Sequence, residues 1–176
     1  MTKPKIQLIA FDVDGVLTDG TIYYGPNGDA LKGFSARDGM GISLARAAGI
    51  KTALITGRRS TMVEQRAADL HIDYVIQNAA AKWSVMEDIC RTLGITPQEA
   101  AYMGDDLNDV EVISRTGFGA APADACWEAK EAAQFVSAYA GGHGALRQWI
   151  EQILKKQQQW DAVVSRYFSG KTVLNQ

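Results

Sequence analysis

Apolar residues fall in short runs divided by turn-rich polar stretches, and strand-like and helix-like spacing alternate along the chain. Residues 6–11, rich in Ile, Leu and Phe and bounded by polar positions, predict a buried strand. Further strands are predicted near 52–56, 73–76, 100–104, 117–121 and 134–137. Helical spacing marks roughly 39–48, 60–70, 80–94, 106–115, 125–132 and 145–158. This order predicts an α/β fold, a Rossmann-like parallel sheet flanked by helices on both faces. Residues 25–29, Gly-Pro-Asn-Gly-Asp, form a dense turn signal between two short apolar segments, so a β-hairpin over about 21–34 is expected as an insertion. No stretch is long enough for a large cap domain. One domain is therefore expected over 1–154, followed by a C-terminal tail over 155–176.

With 176 residues the chain suits one domain with a full core. Its net charge of −2 gives no reason to expect nucleic acid or an anionic membrane as partner. No apolar stretch reaches the roughly 18 residues a membrane helix needs, and the first residues lack the apolar segment of a signal peptide, so a cytoplasmic protein is expected. Cys90 and Cys126 lack paired spacing, which argues against a zinc site or a disulfide framework.

Candidate chemistry gathers where the apolar runs stop. Asp12 and Asp14 end the first run, at the sheet edge where open α/β folds bind ligands. Adjacent carboxylates repel unless something positive compensates, and a hard divalent cation with oxygen ligands is the expected compensation. A second run ends in Asp105, Asp106 and Asp109. Between them lie Thr56, Gly57 and Arg58 after a strand, and Lys82 in an Ala-rich helical segment. Carboxylates for a metal, a hydroxyl and two cations make a site for phosphate chemistry. Each element has a plainer reading: an Asp-x-Asp turn, a solvated arginine, a surface lysine, or, for Asp109, a helix N-terminus where the dipole favours negative charge.

Taken in this order, Asp12/Asp14, Thr56, Lys82 and Asp105/Asp106/Asp109 resemble the four motifs of the haloacid dehalogenase-like phosphohydrolases. DVDGVLTDG at 12–20, FSARDG at 34–39, ITGR at 55–58 and GGHGALR at 141–147 narrow the resemblance to the 3-deoxy-D-manno-octulosonate 8-phosphate phosphatases, over roughly residues 6–155. His143 stands where that family usually has arginine, and Asn78 where it has glycine.

The resemblance implies a Mg²⁺-dependent phosphatase acting through an aspartyl-phosphate in lipopolysaccharide synthesis. Asp12 would be the nucleophile and Asp14 the general acid and base. Asp12, the backbone carbonyl of Asp14, and Asp105 would hold the metal. Asp106 and Asp109 would be ligands through water or would orient Lys82. Lys82 would neutralise Asp12 and the transferring phosphoryl group, while Thr56 and Gly57 would contact its oxygens. Arg58 suits an anionic group of the substrate, and Arg37 and Gly39 would face its sugar-acid part. The family's assembly implies a homotetramer in which one subunit's hairpin borders the next active site.

Two other functions fit the same motifs: a nonulosonate 9-phosphate phosphatase, because the motifs read phosphate and not the sugar tail, and a non-catalytic regulatory module of sugar-acid activation. Retention of Asp12, Asp14, Lys82 and Asp105 argues against the regulatory reading. In the tail, Trp160, Val163, Val164, Tyr167 and Phe168 recur at near-helical spacing and need cover, either from their own domain or from a neighbouring subunit. A tail able to cover an active site is therefore expected, with a loose end beyond Gly170.

Overall fold

A computed structural model describes residues 4–169. Gly170 and the end beyond it, expected to be loose, lie outside the described residues.

Six parallel strands form one sheet: β1 (Leu8–Phe11), β4 (Lys51–Ile55), β5 (Tyr74–Ile76), β6 (Ala100–Met103), β7 (Phe118–Ala121) and β8 (Phe135–Val136), in the order β5-β4-β1-β6-β7-β8. Alternate residues of the inner strands feed two cores. Ile9, Phe11, Leu54, Ala101 and Met103 pack on one face; Leu8, Ala10, Ala53, Ile55 and Tyr102 pack on the other. Both faces are apolar, which is why these strands read as runs and not as alternation.

The first core is closed by α1 (Ala36–Ala47), α2 (Thr61–Asp69), α6 (Ala145–Lys156) and α7 (Trp160–Phe168). The second is closed by α3 (Lys82–Leu93), α4 (Val110–Arg115) and α5 (Trp127–Ala132). The predicted hairpin is present as β2 (Tyr23–Gly25) and β3 (Gly28–Leu31), antiparallel and separate from the main sheet. No cap domain is inserted among the described residues.

Some boundaries differ from expectation for local reasons. The first helix begins at Ala36, because the Ser35 side chain accepts from the Asp38 N–H at 3.3 Å and caps it there. The helix predicted over 106–115 opens as a 3-10 turn, Leu107–Asp109, with Asp106 as its cap, before α4 begins. At the C-terminus, α6 runs through residue 155, so the expected start of the tail falls inside a helix. α7 then sets Trp160 and Val163 against its own core and leaves Tyr167 and Phe168 exposed.

The packing of α6 on α1 fixes the late glycine segment. Ala145, Leu146, Trp149, Ile150, Ile153 and Leu154 form one buried face at helical spacing. Gly144 occupies the N-cap and has no side chain to bond the first-turn amides. Asp38, buried in α1, supplies the cap across the interface, accepting from the Gly144 N–H at 3.0 Å and the Arg147 N–H at 2.9 Å. Asp38→Ala should therefore cost about 2 kcal/mol of unfolding free energy. Urea unfolding of the two proteins measures this, and an unchanged midpoint would remove Asp38 from the interface.

Candidate active site

β1 lies between β4 and β6, with Phe11 in register with Leu54 on one side and Met103 on the other. Chain reversal to opposite sides of β1 opens the crevice at this edge, and Asp12, Thr56 and Asp105 leave the sheet around it. The loop after Asp12 turns back at once: the Val13 carbonyl accepts from the N–H groups of Leu17 at 2.9 Å and Thr18 at 3.0 Å. Gly15 has φ +85°, and a Cβ there would lie 2.0 Å from Asp105 Oδ2, so only glycine allows the two acidic loops to meet. A Cβ at Gly141 would lie 1.9 Å from the Gly15 carbonyl oxygen, which seats the late glycine segment against the same loop.

Lys82 joins the carboxylates. Its Nζ lies 2.7 Å from Asp12 Oδ2 and 2.7 Å from Asp109 Oδ1, with the lysine side chain 1% exposed. Burial works against that ammonium, but Asp12 and Asp109 outweigh it and raise its pKa. Asp109 is saturated: Tyr102 Oη donates to Oδ1 at 2.5 Å, and the N–H groups of Asp105 and Asp106 donate to Oδ2 at 3.1 and 3.3 Å. This fully bonded carboxylate suits the orienting role among the two expected for it. Asp106 is exposed and accepts from the Leu107 N–H at 2.8 Å, capping its turn.

A second charged set surrounds Asp14. Its carboxylate pairs with Lys32 and lies 3.6 Å from Arg58 Nε, while Arg58 Nη2 donates to Asp29 Oδ1 at 2.9 Å. The Asp14 side chain thus stands apart from the cluster of Asp12, Asp105 and Asp109. Lys32 and Asp29, both contributed by the hairpin segment, were not singled out in the sequence. A lysine after a short exposed strand carries no local sign of burial.

The remaining expected residues divide by position. Thr56 is buried at the end of β4, its Oγ1 accepting from the Arg58 N–H at 3.4 Å, and Gly57 beside it is exposed. Arg37 is exposed and lines a groove with Tyr139, His143 and Arg147, away from the carboxylate cluster. Gly39 is buried within α1 and its N–H is spent on the Ser35 carbonyl, so this conformation offers it no substrate contact. Asn78 has φ +56°, the left-handed region that asparagine tolerates best among residues with a side chain, which accounts for its standing in for glycine.

The profile of the haloacid dehalogenase-like hydrolases matches residues 74–148. The 3-deoxy-D-manno-octulosonate 8-phosphate phosphatase KdsC of Salmonella typhi is 43% identical over 162 residues, 92% of this chain and 86% of the relative. That of Escherichia coli K12 is 42% identical over 157 residues, 89% and 84% of the two chains. The chain belongs to the 3-deoxy-D-manno-octulosonate 8-phosphate phosphatase family. Its fold superposes on the Moraxella catarrhalis enzyme, described in complex with magnesium, phosphate and KDO, with a TM-score of 0.89, 38% identity, and coverage of 92% and 93%.

Carboxylate oxygens of Asp12, Asp105 and Asp109 lie within 4.8 Å of one another. Asp105 Oδ1 is buried without a hydrogen-bond partner. Burial, then the charges of Asp12 and Asp109, push the Asp105 carboxyl up to about 8; burial and Asp109 push Asp12 up to about 6 against the pull of Lys82. Lys82 alone does not balance three carboxylates. A hard divalent cation at this cluster would supply the missing charge.

Between its ordinary value of 3.8 and about 8, folded Asp105 holds a proton that the unfolded chain has lost. Stability without metal therefore falls as pH rises through that window, and a cation must displace this proton to bind. Added Mg²⁺ should raise the melting temperature more at about pH 8.5 than at about pH 5.5. An equal shift at both would separate Asp105 from the cation.

Proposed function

We propose that this chain hydrolyses 3-deoxy-D-manno-octulosonate 8-phosphate to 3-deoxy-D-manno-octulosonate and phosphate, with Mg²⁺ as cofactor, in the cytoplasmic synthesis of lipopolysaccharide precursors. The observation that carries this reading is Lys82 held between Asp12 and Asp109 beside Asp105, in a chain 43% identical to the Salmonella phosphatase.

Asp12 attacks the phosphorus: a bond forms between its carboxylate oxygen and phosphorus as the bond to the sugar oxygen breaks. Asp14 gives a proton to the departing alkoxide. It then takes one from water, whose oxygen attacks phosphorus and releases Asp12 and inorganic phosphate. Lys82 offsets the charge of Asp12 so that an anionic substrate can approach, and the Thr56 hydroxyl donates to a phosphoryl oxygen. Asp12, Asp105 and the backbone carbonyl of Asp14 would hold the Mg²⁺, which would supply polarisation of the phosphoryl group and neutralise its charge. Arg58, 38% exposed at its side chain, is placed to meet an anionic group of the substrate.

Phosphate release from a panel of sugar-acid and simple sugar phosphates tests this. The eight-carbon sugar-acid phosphate should have the highest kcat/KM, EDTA should abolish turnover until Mg²⁺ is restored, and Asp12→Asn should lower kcat by at least about 10³-fold with the fold retained. A nine-carbon preference would move the assignment to a nonulosonate phosphatase, and full activity of Asp12→Asn would exclude it as nucleophile.

The assembly is proposed to be a homotetramer. Ile22, Tyr23, Tyr24 and Leu31 are exposed on or beside a hairpin that joins no sheet, and such hairpins gain stability by pairing. Tyr167 and Phe168, exposed at the end of α7, would extend toward a neighbouring mouth. Light scattering at micromolar concentration should give four times the chain mass, and Tyr24→Asp with Leu31→Asp should lower it; a fully active monomer would overturn the shared mouth.

A further inference from the structure

We infer that Lys32, reaching in from the hairpin segment, is the positioning residue for Asp14, so that the hairpin sets proton delivery to the leaving group. This rests on the phosphatase reading above and adds to it a residue outside its motifs.

Burial is the first observation. Of the ion-paired lysines, Lys51 and Lys155 keep side chains 53% and 48% exposed, as lysines on a surface do. Among the described residues only Lys82 and Lys32 are sequestered, their side chains 1% and 2% exposed. One of these two joins Asp12; the other joins Asp14. A buried ammonium is costly unless paired, and an apolar residue of similar size would usually stabilise the same position at least as well. The hairpin itself is exposed at Tyr23, Tyr24 and Leu31, so a buried lysine immediately after it is a poor device for holding it together.

Geometry is the second. The charges around Asp14 alternate: Lys32 on one oxygen, Arg58 Nε 3.6 Å from the other, and Asp29 in turn 2.9 Å from Arg58 Nη2. Asp29 lies in β3 beside the turn, Lys32 directly after that strand, and Arg58 in the loop after β4. Arg58 is the more exposed of the two cations and the one placed to meet substrate, so it is free to exchange partners. Lys32 is fixed. It therefore defines where the Asp14 carboxylate stands when Arg58 turns to an incoming anion.

A residue that works through Asp14 has a kinetic signature. Departure of a sugar alkoxide needs a proton, whereas p-nitrophenolate leaves without one. The ratio of kcat/KM for 3-deoxy-D-manno-octulosonate 8-phosphate to that for p-nitrophenyl phosphate reports proton delivery in the step that forms the aspartyl-phosphate. Lys32→Met should lower this ratio at least about tenfold, chiefly in kcat for the sugar phosphate, and Lys32→Arg should restore most of it. In an Asp14→Asn background, Lys32→Met should leave the ratio unchanged.

Thermal melts establish that each variant folds, and Lys32→Gln replaces Lys32→Met if the methionine protein does not. Equal losses on both substrates, a change confined to KM, or a full further loss in the Asp14→Asn background would overturn the inference. So would a chain that folds only with a cation at position 32, which makes Lys32 structural. A wild-type protein that releases phosphate from neither substrate would instead defeat the phosphatase reading itself.

Discussion

Everything at the catalytic edge depends on one ammonium shared by two carboxylates. Lys82 sits 2.7 Å from both Asp12 and Asp109, and without it three largely buried acidic side chains would face one another. Sharing is possible because Asp109 is itself immobilised by Tyr102 and by two backbone amides, so it holds the lysine instead of competing for other partners. Burial keeps the Tyr102 hydroxyl protonated, and hence a donor, well past the ordinary tyrosine range. One positive charge still leaves Asp12 and Asp105 with raised pKa values, and that remaining imbalance makes the crevice a cation site.

The loops that carry these groups are held by contacts that glycine permits and by caps supplied from a distance. Gly15 lets the Asp12 loop approach Asp105, and Gly141 brings the late glycine segment onto the Gly15 carbonyl. That segment leads into α6, whose first amides are bonded by Asp38 of α1. A chain of contacts thus runs from the α1–α6 interface to the Asp12 loop. Hairpin residues meet the same edge through charged pairs, Lys32 with Asp14 and Asp29 with Arg58. Of the two charged ties, that of the more exposed Arg58 can be exchanged for a ligand's charges, whereas Lys32 is sequestered.

Much of this was legible in the residues alone. Continuous apolar runs ending in Asp12 and Asp105 marked buried parallel strands with chemistry at their C-terminal ends, because a strand covered on both faces is apolar at every position. Helix spacing placed α2, α3, α5 and α6 to within a few residues, and 25–29 announced the hairpin by its turn chemistry. The order Asp12, Thr56, Lys82, Asp105 pointed to one edge, since a parallel sheet returns each strand end there. What depended on distant partners was hidden. Asp38 reads as a helix-start carboxylate, yet it caps a helix 106 residues further on. Arg37 and Gly39 beside it were expected at the substrate, and the turn of α1 sends one outward and the other into the core. Lys32 reads as any surface lysine, because burial of a charge is decided by whichever opposite charge the fold brings to it. Spacing along the chain determines the elements and the edge on which acidic groups gather; the pairing of each charge with its partner is a property of segments that meet only once the sheet and helices have packed.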